Sequence, residues 1–183
     1  MRNLIFLVFL YSCISTAQDN LILTNTSIGN MPIKVGMDIS LYKIKQHFPF
    51  YKVTQQIASG DSPDYHLYIV STNANEELIS FISYINESGG YEKSKVKLDE
   101  VIIHSSKVQD QFGVKPNMTI SQAIEKRKGL EFGAGHMDNY LGTEKIWYMF
   151  SVNQIHGTQV TKEAAVKANP KIQSISWPSP WWR

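Results

Sequence analysis

The side chains that could bind a metal or perform acid–base chemistry are spread along this 183-residue chain without a recognisable spacing. Histidines never recur four residues apart, the separation that places two ligands on adjacent turns of a helix. No cysteine or cluster of carboxylates lies beside them in the sequence. The five are His47, His66, His104, His136 and His156. We therefore predict no metal site and no cofactor.

The motifs of nucleophilic catalysis and phosphate binding are also missing from the sequence. Residues 133–138 read Gly-Ala-Gly-His-Met-Asp, but they follow a predicted helix and lack the third glycine of a dinucleotide-binding loop, so we interpret them as a hairpin turn. The adjacent acids at 76–77 and 99–100 are interpreted as solvated strand ends rather than as an acid and base pair. The sequence indicates no catalytic residue and favours a non-enzymatic protein. The alternative is a hydrolase whose catalytic residues are not identified.

Composition sets the class of protein but not the partner. Eighteen lysines and arginines against sixteen acidic residues leave a net charge of +2, which gives no reason to expect nucleic acid or an anionic membrane as the main partner. Apolar residues make up 43% of the chain, enough for a hydrophobic core. The single cysteine, Cys13, excludes an intramolecular disulfide.

The first seventeen residues have the features of an export signal. Arg2 is followed by an unbroken apolar run over residues 4–10, and Ser15 and Ala17 are small residues at the positions that a signal peptidase reads. This interpretation predicts a periplasmic or secreted protein that begins at Gln18. The alternative uses residues 10–13 as a lipoprotein box, with Cys13 acylated and the protein held on the outer membrane by its lipid chains. Tyr11 fits that box poorly.

The remaining chain is rich in predicted strands. Segments of Val, Ile, Tyr and Phe are separated by short polar links, which favour antiparallel neighbours. The predicted strands cover residues 50–57, 65–72, 77–86, 97–106, 131–134, 146–152 and 171–177. Helical spacing is found only twice. Asp38 is the predicted cap of a helix that runs to about Phe48, and Thr119 with Gln122 forms a capping box that opens a second helix ending at Gly129.

The two helix openings resemble each other. Residues 33–40 and 114–121 align at an offset of 81 and share identical Lys, Met, Ile and Ser. We therefore predict a sheet-rich α+β protein built from two tandem modules, residues 18–110 and 111–183, each with one main helix on an antiparallel sheet. The alternative is that the openings are alike only because capping chemistry is restricted.

Several short motifs together resemble a family of bacterial envelope lipoproteins under extracytoplasmic stress (sigma-E) control, which carries a domain of unknown function. They lie at residues 27–31, 35–37, 48–49, 111–115 and 172–177. The resemblance implies an exported α+β protein with no established activity. A cysteine pair of that family, around the hairpin after the second helix, has no counterpart in residues 130–145.

The tandem plan also looks like the doubled module of the secreted β-lactamase inhibitory proteins, a resemblance of architecture that implies a binding role. The predicted partner is an unidentified protein or cell-envelope component, and a membrane is expected only if Cys13 is acylated.

An aromatic carboxyl end and one loop are the predicted contact patch. Residues 177–183 hold three of the four tryptophans and two prolines, and the loop 133–143 adds further aromatic and Met side chains. The residues expected to bind the partner are Met137, Tyr140, Trp181 and Trp182. The alternative is that these tryptophans cover the end of the last strand as a lid on the core.

The export signal leads to a first prediction, which intact-mass measurement on protein from the native host checks. We expect a chain that begins at Gln18, because the small residues before it match the preference of a signal peptidase. A diacyl or triacyl mass on a chain that begins at Cys13 would contradict this and place the protein on a membrane.

Overall fold

The computed structural model describes residues 21–59, 64–85, 96–134, 138–151 and 160–178. Within them the chain forms three helices, α1 (Leu41–His47), α2 (Ile120–Lys126) and α3 (Lys162–Ala168). The first eight strands are β1 (Ile22–Leu23), β2 (Ser27–Ile28), β3 (Met31–Pro32), β4 (Lys52–Ala58), β5 (Tyr65–Ser71), β6 (Glu77–Tyr84), β7 (Glu100–Ile103) and β8 (Gln109–Asp110). The last four are β9 (Glu131–Ala134), β10 (Asn139–Thr143), β11 (Ile146–Phe150) and β12 (Ser174–Trp177). This is the predicted sheet-rich α+β fold.

The main sheet has eight strands in the order β4-β5-β6-β7-β12-β11-β10-β9, and every neighbouring pair is antiparallel. Each group of four strands follows one helix in the chain, α1 before β4 to β7 and α2 before β9 to β12. The groups meet where β7 pairs with β12, with Ile103 opposite Ile175 and Val101 opposite Trp177. A smaller sheet, β3-β2-β1-β8, includes the parallel pair β1 and β8.

One face of the main sheet is buried and forms one side of the hydrophobic core. Paired residues share a face of the sheet, and the central strands contribute to this face Phe81, Val101, Ile103, Ile175, Trp177 and Tyr148, all fully buried. Each of the three helices buries at least one apolar residue in the same cluster: Ile44 of α1, Ile120 and Ala123 of α2, and Ala165 of α3. The alternate residues of each strand therefore point to the opposite side, here called the outer face.

Two features of the helices differ from the sequence prediction. Ser40, not Asp38, caps α1, because its side chain accepts a hydrogen bond from the Lys43 N–H at 3.2 Å. The helix α3 was not predicted, because its short alanine-rich sequence has little apolar periodicity. By contrast, the capping box of Thr119 and Gln122 is present as predicted.

We call α1 with β4 to β7 the first half and α2 with β9 to β12 the second half. Each of these two helices is preceded by a short junction that is hydrogen-bonded to a later segment of the same half. In the first half, the Gly36 N–H donates to the Leu98 carbonyl and the Leu98 N–H donates to the Met37 carbonyl, at 2.7 and 2.8 Å. The Ile39 N–H donates to the Val96 carbonyl at 2.9 Å. These bonds fix the entry to α1 against the segment that leads into β7.

The second half repeats this set of bonds. The Asn117 N–H donates to the Ile172 carbonyl, the Ile172 N–H donates to the Met118 carbonyl, and the Ile120 N–H donates to the Pro170 carbonyl, at 2.8, 2.7 and 3.1 Å. Gly36 and Asn117 are 81 residues apart, the offset of the sequence alignment, and both have a left-handed backbone. The predicted duplication and the module boundaries 18–110 and 111–183 require such a correspondence, and they stay predictions.

Exchanging the residues at these two positions tests whether the junctions are equivalent. Gly36 has φ +77° and Asn117 has φ +72°, and a Cβ at Gly36 would meet nothing within 4 Å. We expect Gly36→Asn and Asn117→Gly each to change the free energy of unfolding by less than about 0.5 kcal/mol, because glycine and asparagine both tolerate this backbone. Urea denaturation is the measurement.

Gly36→Val is the matched control for this exchange. We expect it to lose roughly 1–2 kcal/mol, because a β-branched residue strains the left-handed backbone. If Gly36→Asn costs as much as Gly36→Val, the two junctions do not accept the same residue and their equivalence is wrong.

Candidate functional site

Of the predicted contact residues, the structure places one. Tyr140 lies on β10 and is half-buried on the outer face, opposite Met149 of β11. The others, Met137, Trp181 and Trp182, lie outside the described residues, as do Cys13 and the predicted signal sequence 1–17. Trp177, which opens the aromatic carboxyl end, is fully buried in the core, and its indole N–H donates to the Asn25 carbonyl at 3.1 Å.

A carboxylate lies on the outer face beside the central strand pair. Glu100 on β7 accepts hydrogen bonds from the Tyr84 hydroxyl at 3.0 Å and from the Ser176 hydroxyl at 2.8 Å. These partners belong to β6 and β12, one on each side of β7, so the sheet register alone brings the three side chains together. Charge-assisted hydrogen bonds of this kind hold a carboxylate in a fixed orientation.

The environment of Tyr140 is apolar and negative. Burial raises the pKa of the Tyr140 hydroxyl above its usual value of 10, and the negative charges of Asp138 and Glu100 raise it further. Tyr140 is therefore a neutral phenol at physiological pH, able to donate a hydrogen bond. Because the charge of Glu100 acts on this hydroxyl, the two side chains share one electrostatic environment.

Around Glu100 the outer face is partly apolar and aromatic. The rings of Tyr65 and Tyr84 pack at an angle of 51°, with centroids 5.8 Å apart. The half-buried residues of this face also include Leu67, Ile69, Ile102, Tyr140 and Met149, and Trp147 is nearly buried there. Tyrosine, tryptophan and methionine on a partly exposed apolar surface are the composition that protein-binding surfaces favour.

The charges of the outer face are mostly negative. The alternation along the described strands places three acidic side chains on it, the charge of a fourth acidic residue just before β10 acts on Tyr140, and the exposed lysine on this face is at the edge strand β4. The acidic residues are Glu77, Glu100, Glu131 and Asp138. Lys52 is the lysine, and its ammonium donates to the Asn75 side chain at 2.8 Å.

One end of this face brings together serine, histidine and glutamate. A bulge between β5 and β6 skips Leu78, so that Glu77 shares a face with Ser80. The Nε2 atom of His104 lies 3.1 Å from the Ser80 hydroxyl and 3.2 Å from a Glu77 oxygen. The Ser80 hydroxyl donates to the same Glu77 oxygen at 2.5 Å. Sequence reasoning did not anticipate this cluster, because the bulge that forms it leaves no pattern in the sequence.

This cluster does not have the geometry of a catalytic triad. In a triad the serine and the carboxylate contact different ring nitrogens, so that the carboxylate orients the base. Here both contact Nε2 of His104, and Ser80 is only 2% exposed. The three residues therefore form a local hydrogen-bond network that connects β6 with the end of β7.

A second polar cluster lies inside the protein, on the core side. Asp110 accepts hydrogen bonds from the backbone N–H groups of Phe112 and Val114, at 2.9 and 2.8 Å, and from the Tyr148 hydroxyl at 2.5 Å. The Arg127 guanidinium donates to the Tyr148 hydroxyl at 3.1 Å. Both Asp110 and Arg127 are almost completely buried. Sequence reasoning missed this cluster because its members lie up to 38 residues apart.

The polar groups of the buried cluster have hydrogen-bond partners within the protein. Arg127 also donates to the carbonyls of Thr143 and Ile146, at 2.8 and 3.1 Å. Burial raises the pKa of Asp110, against the lowering effect of the Tyr148 hydroxyl, the two backbone N–H groups and Arg127. Burial likewise raises the pKa of the Tyr148 hydroxyl. Because the polar groups of this cluster are buried and hydrogen-bonded within the protein, we interpret the cluster as stabilising the fold. The outer face is therefore the candidate site.

Among the described residues, no group of three or more His, Cys, Asp or Glu side chains is placed to hold a metal ion. The helices in the same part of the chain are each seven residues long, and none could span a membrane.

The fold and the outer face define a protein class by architecture: a sheet-rich α+β protein with helices on one face of a long antiparallel sheet. No protein-family model matches the chain, and no curated protein matches it. Among solved structures, it is similar to the uncharacterized protein yfeY from Escherichia coli, with a TM-score of 0.59 and 13% sequence identity. The match covers 86% of this chain and 99% of that one, and it shows the fold alone.

The histidine cluster leads to a prediction on pH. Burial lowers the pKa of His104 below 6.5, against the raising effect of Glu77. The unfolded chain therefore takes up this proton at a higher pH than the folded chain does. The corresponding stability is fully present above about pH 6.5 and is lost as the pH falls through the lowered pKa.

His104→Gln removes the titration and keeps a polar side chain beside Ser80. We expect its free energy of unfolding to decrease less than that of the wild-type protein between about pH 7.5 and pH 5. Urea denaturation at both pH values provides the comparison. Equal pH dependence in the two proteins would show that His104 has the same pKa in the folded and unfolded chains.

Proposed function

We propose that this chain is an exported, non-enzymatic protein that binds a protein or a cell-envelope component through the outer face of its main sheet. The observation that carries the proposal is the surface around Glu100, where partly exposed aromatic and aliphatic side chains surround an oriented carboxylate. Interfaces owe most of their affinity to a few aromatic anchors in such surroundings, enclosed by polar groups at the rim.

A rigid sheet suits this role. The aromatic and aliphatic side chains of the outer face come from β5, β6, β7, β10 and β11, which are hydrogen-bonded on both sides, so their positions are set before a partner arrives. Pre-organisation of this kind lowers the entropic cost of binding. The alternative of an envelope hydrolase gains no support from Ser80 and His104, because Glu77 does not orient the histidine as a base.

The location proposed is the periplasm or the extracellular space, on the basis of the apolar run and the small residues that precede Gln18. The resemblance to stress-controlled envelope lipoproteins favours the same compartment. An outer-membrane lipoprotein acylated at Cys13 is the alternative, and the intact-mass measurement distinguishes the two. In either case the binding face proposed is the same.

The test begins with affinity capture from native envelope extract and mass spectrometry, which supplies a partner for binding measurements. We then expect Tyr140→Ala to weaken binding of the purified partner by about 2 kcal/mol, roughly 30-fold, because Tyr140 is the aromatic residue of β10 on the outer face. The matched control is Tyr42→Ala. Tyr42 is a 71% exposed tyrosine on α1, on the opposite side of the molecule.

Two results decide the outcome, with lipid absent from the assay. Loss of affinity in Tyr140→Ala and none in Tyr42→Ala supports the proposal, provided that the melting temperatures are unchanged. Equal affinity in the wild-type protein and Tyr140→Ala contradicts it. A double variant, Trp181→Ala with Trp182→Ala, tests the predicted tail: a contact role lowers affinity, whereas a lid role lowers the melting temperature.

A further inference from the structure

The helices present a surface of the opposite charge to the outer face. The exposed side chains of α1, α2 and α3, with the residue that follows Arg127, include six lysines and two glutamates. The lysines are Lys43, Lys45, Lys126, Lys128, Lys162 and Lys167, and the glutamates are Glu125 and Glu163. We call these exposed residues the helix surface. Ile44 of α1, Ala123 of α2 and Ala165 of α3 are buried in the same core cluster as the inner side chains of the sheet, so the exposed sides of the helices lie across the core from Glu100.

This segregation of charge is hidden in the composition. The charged residues named on the helix surface sum to +4 and those named on the outer face sum to −3, so the two nearly cancel in a chain whose total net charge is +2. Each surface nonetheless produces its own local potential, because charges more than about 8–10 Å apart are largely screened from one another at physiological salt.

Large apolar side chains are also exposed on α1 and α3 and just after α1. Tyr42 on α1 is 71% exposed, Phe50 just beyond the end of α1 is 77% exposed, and Val166 on α3 is 39% exposed. Tyr42 is next to Lys43, and Val166 is next to Lys167. Lysines mixed with exposed aromatic and aliphatic residues are typical of surfaces that lie on an anionic bilayer.

We propose that the helix surface binds an anionic phospholipid bilayer as a peripheral contact, which leaves the outer face turned away from the membrane. Lysines are attracted to anionic headgroups, and Tyr42 of α1 enters the interfacial region, where tyrosine side chains are stabilised. The exposed apolar residues favour a bilayer over a nucleic acid or an acidic polysaccharide. Those polymers attract the lysines, but they do not bury aliphatic side chains away from water. This inference is independent of the partner bound by the outer face.

The experiment is sedimentation of the purified protein with vesicles of phosphatidylcholine alone and with vesicles containing 30% phosphatidylglycerol. We expect binding to the anionic vesicles, weakened by added salt, and much less binding to the neutral ones. A lipid chain on Cys13 would anchor the protein to both kinds of vesicle, so the ratio of the two partition coefficients isolates the contribution of charge.

Two charge-matched variants locate the contact. Lys45→Gln with Lys167→Gln removes two charges from the helix surface and should lower partition to anionic vesicles by roughly 25-fold, at about fivefold per lysine. Lys52→Gln with Lys145→Gln removes two exposed lysines outside that surface and should leave partition nearly unchanged. Circular dichroism confirms that both variants are folded.

The variant Tyr42→Ala distinguishes a bilayer from an anionic polymer as the ligand of the helix surface. It should weaken partition to anionic vesicles severalfold and leave retention on a heparin column unchanged. The proposal is overturned by equal binding to neutral and anionic vesicles, by equal losses in the two lysine variants, or by vesicle binding that does not respond to Tyr42→Ala.

Discussion

The antiparallel pairing of β7 with β12 is the constraint on which the rest of the structure depends. Without it the chain would have two four-stranded sheets, each with an exposed edge and half a core. With it, Val101 and Ile103 meet Trp177 and Ile175 on one face, and all four are fully buried. The same register places Glu100 beside Ser176 on the other face. One set of backbone hydrogen bonds thus builds both the core and the candidate binding surface.

The contact between the end of the helix and the third strand of its group differs between the two halves. In the first half, Phe48, which caps the end of α1, packs against Phe81 of β6 with ring centroids 5.9 Å apart. At the corresponding place in the second half, Arg127 caps α2 and donates to Tyr148 of β11. The polar version connects β8 with the second group of strands through Asp110. Such a network fixes one arrangement strictly, because any member left without its partner would be buried and unsatisfied.

Sequence patterns predicted the elements better than the site. Apolar and β-branched runs located β4 to β7, β9, β11 and β12, whereas β10, with a glycine at its fourth position, lacks the run of residues that marks a strand. Tyr140 was predicted to bind because it is aromatic and lies in a predicted loop. Glu100 was interpreted as a solvated strand end, since its partner Ser176 is 76 residues away and only the β7–β12 register brings them together. Long-range pairing of this kind leaves no local signal in a single sequence.

The central claim, that β7 and β12 join two groups of strands into one cooperative sheet, is tested most directly by native-state hydrogen exchange. Amides of β6, in the first group, and of β11, in the second, should exchange with the same free energy, equal to that of global unfolding. A clearly lower free energy of exchange in one group would contradict a single cooperative sheet, because the halves would then open independently and the outer face would not be one rigid surface.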